Sequence, residues 1–416
     1  MPTLFKIFTV FALILILSRK GVPLFLCLFA GAFAIGIGMG IGPGEVVTMI
    51  LEEMTSAGVL WLVLIITAIL VLSNLMEQAG HLHRLVEAFN RLSPSRRFTT
   101  VAMPAVIGLL PMPGGALFSA PMVEESFPGE GSPELKTAVN YWFRHIWEYW
   151  WPLYPGVVLA ISLLGVEAWR FIVAQLPLTV GAVTAGGLFI ARWIPSAPSG
   201  RVSGGALKGF LWEMVPIGLV LLFLFGLRAL APLCGLHTSK YLGFAVGLLA
   251  AILWVSLRYD LEWEQWRRAI FKPSLPKMAM IVFGIMAFKG VLVRSSAIGA
   301  VKTELGLYGV PTLAIVVVLP FVSGFVTGIA IGFVGTSFPL VASLVEGGRS
   351  FLAYGVLAYG FGYMGMMLTP LHLCFLVTKD YFRADLLGSY RYLWRAALFV
   401  LGWTVTLFLI YVVAGI

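Results

Sequence analysis

The chain has 416 residues, of which 60% are hydrophobic and 11% charged, and 28 Lys and Arg against 19 Asp and Glu give a formal net charge of +9. A mean hydropathy of +0.96 excludes a soluble globule with an ordinary polar surface. An all-α polytopic membrane protein remains, and its excess cations read as loop charge rather than as a nucleic-acid footprint.

In chain order, full spans are predicted at residues 2–18, 22–41, 58–77, 138–163 and 170–191, then at 209–231, 240–257, 276–293, 351–377 and 392–413. The first run carries Lys6, is followed by Ser18, Arg19 and Lys20, and has no small-residue cleavage pattern, so it is expected to be retained. Asn74 and Glu77 close the third span at the interface. Two further apolar segments, 101–123 and about 311–343, are interrupted by Gly and Pro; the first contains PMPGGALFSAP. Cys27, Cys234 and Cys374 lie in or beside apolar runs without metal-ligand spacing. They are expected to be core side chains, so neither a disulfide nor a zinc site is expected, and no resident cofactor. No HExxH, GxSxG or paired-Asp motif suggests an enzyme.

At an offset of 218 residues the chain matches itself: Gly114, Ser119 and Pro121 align with Gly332, Ser337 and Pro339, and Tyr141, Pro152 and Leu153 with Tyr359, Pro370 and Leu371. The expected organisation is two halves, 1–195 and 209–416, joined by a cytoplasmic linker at 196–208. With the N-terminus outside and both interrupted segments re-entrant, cytoplasmic segments hold 19 of the 28 Lys and Arg and external ones seven. The remaining two, Arg144 and Lys289, lie deep inside predicted spans. Each half then has five spans plus one hairpin, the halves are inverted, and both termini lie outside.

An unpaired backbone group in hydrocarbon costs several kcal/mol, so broken chain at depth persists where it is buried by protein or lines a cavity. The spans after the hairpins are broken too, at WPLYPG (151–156) and LTPLHL (368–373). Short interrupted segments at matching places in two inverted halves point to a transporter site. Arg144, His145 and Glu148 lie in NYWFRHIWEYWWP, with Arg144 and Glu148 spaced i, i+4 as for an ion pair on one helix face. Arg144 or protonated His145 suits an anion, and His145 or Glu148 a coupling proton. Lys289 is a further deep cation, and His372 follows the second break.

PMPGGALFSAP followed by NYWFRHIWEYWWPLYPG resembles a prokaryotic integral-membrane family known as domain of unknown function 401, and the resemblance runs through nearly the whole chain. The pair of broken hairpins is more distantly similar to the ion transporter superfamily of dicarboxylate symporters, gluconate and arsenite permeases and sodium/proton antiporters. That resemblance implies a scaffold, often dimeric, and a transport unit of two hairpins and two broken helices that moves like an elevator. It implies hairpin tips at Pro113, Gly114, Gly115 and Ser119 and at Gly335, Thr336 and Ser337. It implies helix joints at Pro152 to Gly156, including Tyr154, and at Thr369 to His372. The Ser-Asn-Thr tips of the dicarboxylate symporters are absent, which leaves substrate and sodium coupling open.

The function expected is a secondary transporter of a small anion in the prokaryotic cytoplasmic membrane. Its coupling ion would be the proton or sodium, the latter near Gly114, Ser119 and Ser337. The alternatives are a cation/proton antiporter using Glu77, Glu148 and His145, and a lipid-carrier flippase or membrane-embedded enzyme.

Overall fold

The computed structural model describes residues 2–91, 95–112, 115–127, 131–195, 206–230, 239, 241–348 and 350–416. Every longer regular element among them is an α-helix. Before the linker these are α1 (Thr3–Arg19), α2 (Leu24–Gly38), α3 (Pro43–Thr55), α4 (Ala57–Gln78), α5 (His81–Asn90), α6 (Arg96–Ile107), α7 (Ala116–Ser126), α8 (Pro133–Arg144), α9 (Pro155–Leu164) and α10 (Ala168–Phe189). After it come α11 (Ala206–Leu230), α12 (Leu242–Arg258), α13 (Trp263–Ile270), α14 (Ser274–Arg294), α15 (Ala297–Leu307), α16 (Thr312–Thr327), α17 (Ala330–Val345), α18 (Phe351–Leu368), α19 (Leu373–Phe382) and α20 (Leu386–Ala414).

Helix ends follow local chemistry. The Ser56, Ser132 and Asp385 side chains accept from the backbone N–H of Val59, Leu135 and Gly388 and so start α4, α8 and α20. Gly328, at φ +65°, ends α16 in the left-handed region. Helices α2, α8, α9 and α10 start at residues 24, 133, 155 and 168, and 218 residues later α12, α18, α19 and α20 start at 242, 351, 373 and 386.

Six segments are long and apolar enough to cross a membrane (57–78, 168–193, 207–230, 263–294, 351–382 and 386–414), or seven if α15 and α16, bent by 117°, count as one more. Ten spans are expected from the sequence, and the difference has local causes. The predicted span 138–163 is two helices, α8 and α9, and is not among the six; 351–377 is also two, α18 and α19, but still counts as one crossing segment. Helix α2 stops after 15 residues, where Gly40 takes φ +86° in a Gly-rich run, and α1 and α12 have 17 residues each. Helices α3, α5, α13 and α15 occupy stretches predicted as loop.

The helices pack in two groups. In one, α1 lies on α2 and α11 on α12, with α2 against α14 and α4 against α12. In the other, α6, α7 and α8 pack together as do α16, α17 and α18, while α19 contacts α7, α9 contacts α17, and α10 meets α20. Where α16 crosses α18 the backbones touch: a Cβ at Gly324 would strike the Gly362 carbonyl oxygen, and one at Gly365 that of Phe321. The groups meet where α17 lies on α14, at Gly335 and Ile285, and where α4 lies on α9.

Both interrupted segments fold back. The Thr100 hydroxyl near the start of α6 donates to the Ser126 carbonyl at the end of α7, 3.0 Å away. Ion pairs between distant segments join Glu52 to Arg294 and Glu167 to Arg228, and, in a second set, Glu77 to Lys272, Arg84 to Glu213 and Glu124 to Lys136.

Candidate functional site at the two broken helices

Helix α8 ends at Arg144 and α9 begins at Pro155. The first break therefore opens at His145, ahead of the WPLYPG stretch (151–156) where the sequence places it. The second break is Thr369–His372, between α18 and α19, as the sequence suggests. A broken helix leaves carbonyls without intrahelical partners, and here tyrosines supply them across the two halves. Tyr363 Oη donates to the His145 carbonyl (2.7 Å) and Tyr359 Oη to that of Glu148 (2.8 Å). In return, Tyr141 Oη donates to the Met367 carbonyl at the end of α18 (3.0 Å). Indole and phenol donors of the first break cover the end of α6: Trp147 reaches the Ala105 carbonyl, Trp151 that of Leu109, and Tyr154 that of Gly108.

Arg144 is 2% exposed. Its Nη2 donates to the Met112 carbonyl in the hairpin turn at 3.1 Å, whereas Nε and Nη1 have no hydrogen-bond partner among the described residues. A Cβ at Gly115 would run into the guanidinium, so glycine is what lets the turn approach it. The ion pair expected between Arg144 and Glu148 is absent: α8 stops at Arg144, so the one-turn spacing that would align the two does not continue. The basic side chain paired with Glu148 is instead His145, with Oε1 3.8 Å from Nε2.

His145 also faces His372 across the breaks, Nε2 to Nε2 at 3.1 Å. Its Nδ1 is 2.6 Å from the Tyr141 carbonyl, which can only accept, so Nδ1 carries a hydrogen. The neutral ring then presents a bare Nε2, and His372 must donate its Nε2 hydrogen to it. His372 Nδ1 is buried without a partner among the described residues. Cys374, on the first turn of α19, completes the group: one ligand atom from each of His145, His372 and Cys374 lies within 4.8 Å of the others.

Other residues named from the sequence fall elsewhere. Pro113 and Gly114 lie outside the described residues, as does Cys234. Ser119, in α7, donates to the Ala116 carbonyl, which also accepts from Asn140. Gly335, Thr336 and Ser337 are not at a tip: they lie inside α17, where the two hydroxyls donate to the Gly332 and Phe333 carbonyls. The second hairpin turns at Gly328 and Ile329, because its turn has two residues where the first spans 108–115, and an alignment at constant offset slips past it. That tip touches both breaks: Gly328 packs on Leu371 and Thr369, and Gly156 on Ala330. Pro152 and Tyr154 are in the first break, and Thr369 opens the second. Lys289 is on α14, where it interacts electrostatically with Glu53 of α3. Glu77 and Asn74 bind Lys272 at 2.7 and 3.2 Å, at the rim of the other helix group.

Asn140, Tyr359, Tyr363 and Cys374 belong to the site, although sequence reasoning does not assign them to it. Tyr359 is visible as the repeat partner of Tyr141; the others carry no signal until the breaks are brought together. Behind Pro152 an apolar cavity of about 270 Å³, lined also by Trp169, Leu224, Phe225 and Arg228, opens between α9, α10 and α11.

No curated protein matches the chain. A family model described as a protein of unknown function, DUF401, matches residues 1–415, so the chain belongs to that family of membrane-helical proteins.

Proposed function

We propose that the chain is a secondary active transporter that carries a small anion, an organic carboxylate or an oxyanion, across the prokaryotic cytoplasmic membrane by alternating access. Arg144 carries the reading: a buried guanidinium at a re-entrant turn, with two nitrogens that lack partners among the described residues. Nη2 gives only one of its two hydrogens to Met112, so one edge of the planar guanidinium, Nη2 with either Nε or Nη1, keeps a parallel pair of N–H groups that suits a carboxylate or oxyanion. Proton coupling is supported by the histidine pair: one further proton, taken up on His145, would make an imidazolium 3.8 Å from the Glu148 carboxylate.

The halves are inverted repeats in this reading. Four helix starts at one offset support the duplication. The ion pairs support the sidedness, since each joins segments that the cation count places on one face. Helices α1–α5 with α11–α15 act as scaffold, and α6–α10 with α16–α20 as the moving unit. The apolar cavity between α9, α10 and α11 leaves their seam sparsely packed.

The test is uptake and counterflow of labelled carboxylates and oxyanions in proteoliposomes under an imposed pH gradient. At least one anion should be taken up, with the rate falling about a hundredfold or more in Arg144→Gln. No response to any anion, or counterflow intact in Arg144→Gln, would overturn the reading. A sodium-dependent proton flux that survives Arg144→Ala and vanishes in Glu148→Gln would replace it with a cation/proton antiporter.

A further inference from the structure

The histidine pair and Cys374 have a geometry that anion transport does not require. We propose that His145, His372 and Cys374 bind a thiophilic transition-metal ion of the zinc class, with Glu148 as the fourth ligand. This goes beyond the transport reading and does not depend on anion binding; an ion bound here would occupy the ring nitrogens that the coupling proton uses in that reading.

Zinc takes imidazole nitrogen at about 2.0–2.1 Å and thiolate sulfur at about 2.3 Å, so two nitrogens in a tetrahedral shell stand about 3.3 Å apart. The two Nε2 atoms are 3.1 Å apart. All three ligand atoms lie within 4.8 Å, and a contraction of about 1 Å in the longest separation brings the set to bonding geometry. Glu148 Oε1, 3.8 Å from His145 Nε2, is in range to close the shell.

The outer shell is also in place on one side. A metal-bound histidine nearly always donates its other ring N–H to a carbonyl or carboxylate, and His145 Nδ1 does this to Tyr141. The metal shell itself is neutral, because a divalent ion with one thiolate and one carboxylate sums to zero, so binding adds no net charge to that of the buried Arg144 guanidinium beside it. Binding needs a bare Nε2 on both rings. The His372 proton therefore moves to Nδ1, and the Cys374 thiol proton leaves to solvent, so affinity should rise with pH. The ligands come from both breaks, so an ion here ties α8 to α19.

Full-length protein in detergent, stripped with chelator, is titrated with Co²⁺ and, separately, loaded with Zn²⁺ for X-ray absorption. The expected result is one Co²⁺ per chain with a thiolate charge-transfer band, and a zinc shell containing one sulfur at about 2.3 Å and two nitrogens near 2.0 Å. Cys374→Ser should abolish the band, while Cys27→Ser with Cys234→Ser should retain it. A band intact in Cys374→Ser, or a zinc shell without sulfur in the unsubstituted protein, would overturn the assignment. The absorption measurement needs no variant, so it decides even if Cys374→Ser fails to fold. Loss of anion transport alone leaves this assignment untouched, and a sulfur-free shell leaves the transport reading untouched.

Discussion

A buried guanidinium held by one carbonyl is sensitive to anything that displaces it. Gly115→Ala places a methyl group against the Arg144 guanidinium, and it is expected to weaken apparent anion affinity at least tenfold while leaving membrane insertion unchanged, as read from uptake against substrate concentration. The tyrosine hydroxyls act on stability instead. Tyr363→Phe removes one donor to the His145 carbonyl, which keeps the Glu148 backbone N–H at 3.4 Å, and should cost about 0.5–1.5 kcal/mol, seen as a lower unfolding temperature in detergent. Arg144, His145, Glu148 and His372 are legible in the sequence because ionisable groups are rare in apolar runs. Their partnership is not: i, i+4 spacing predicts a contact only while the helix continues, and α8 ends on Arg144. Cys374 cannot be read as a ligand from spacing, since one of the two histidines beside it, His145, belongs to the other half of the chain.

The same substitution on two helices has opposite signs according to whether the added methyl group meets a neighbouring backbone or open space. Gly365→Ala pushes a methyl group onto the Phe321 carbonyl and should destabilise the α16–α18 crossing by about 1–3 kcal/mol. Gly187→Ala on α10 meets nothing within 4 Å and should be neutral or gain up to about 1 kcal/mol of helix propensity. Helix α1 is fastened differently: Glu304, on short α15 outside the predicted spans, accepts from the Leu4 and Thr3 backbone N–H groups at 2.6 and 2.7 Å. Those bonds, Leu4 first, hold its carboxyl below the ordinary glutamate range. A lowered value means that the contribution is complete above the ordinary glutamate value and is lost as pH falls through the depressed one. Amide exchange at Thr3 and Leu4, corrected for intrinsic rate, should accelerate across that acidic window in the native protein and show no such step in Glu304→Gln. The hairpins and breaks are legible because Gly and Pro punctuate apolar runs, and the second tip is misplaced because a repeat offset assumes equal turn lengths.

Across the molecule, the proposed movement of one helix group against the other can be tested at a single point. A Cβ at Gly335 would stand 3.8 Å from that of Ile285, the usual separation across a disulfide. Oxidised Gly335→Cys with Ile285→Cys should therefore lose transport and regain it on reduction; undiminished transport with the link formed would rule out sliding of α17 on α14. The sequence reading of two halves rests on six identities and on loop charge, whereas the contact between the two breaks emerges only in three dimensions.

The crossed tyrosine bonds also bear on how the protein is made. Carbonyls at the first break wait for hydroxyls that are synthesised 218 residues after His145 and 211 after Glu148. During translation the first half must therefore enter the bilayer with its broken helix unfinished, sheltered by the insertion machinery or by water until the second half arrives. Expressed alone, residues 1–195 should be degraded rapidly; co-expressed with 206–416, they should be rescued, and Tyr359→Phe with Tyr363→Phe in the second fragment should diminish that rescue.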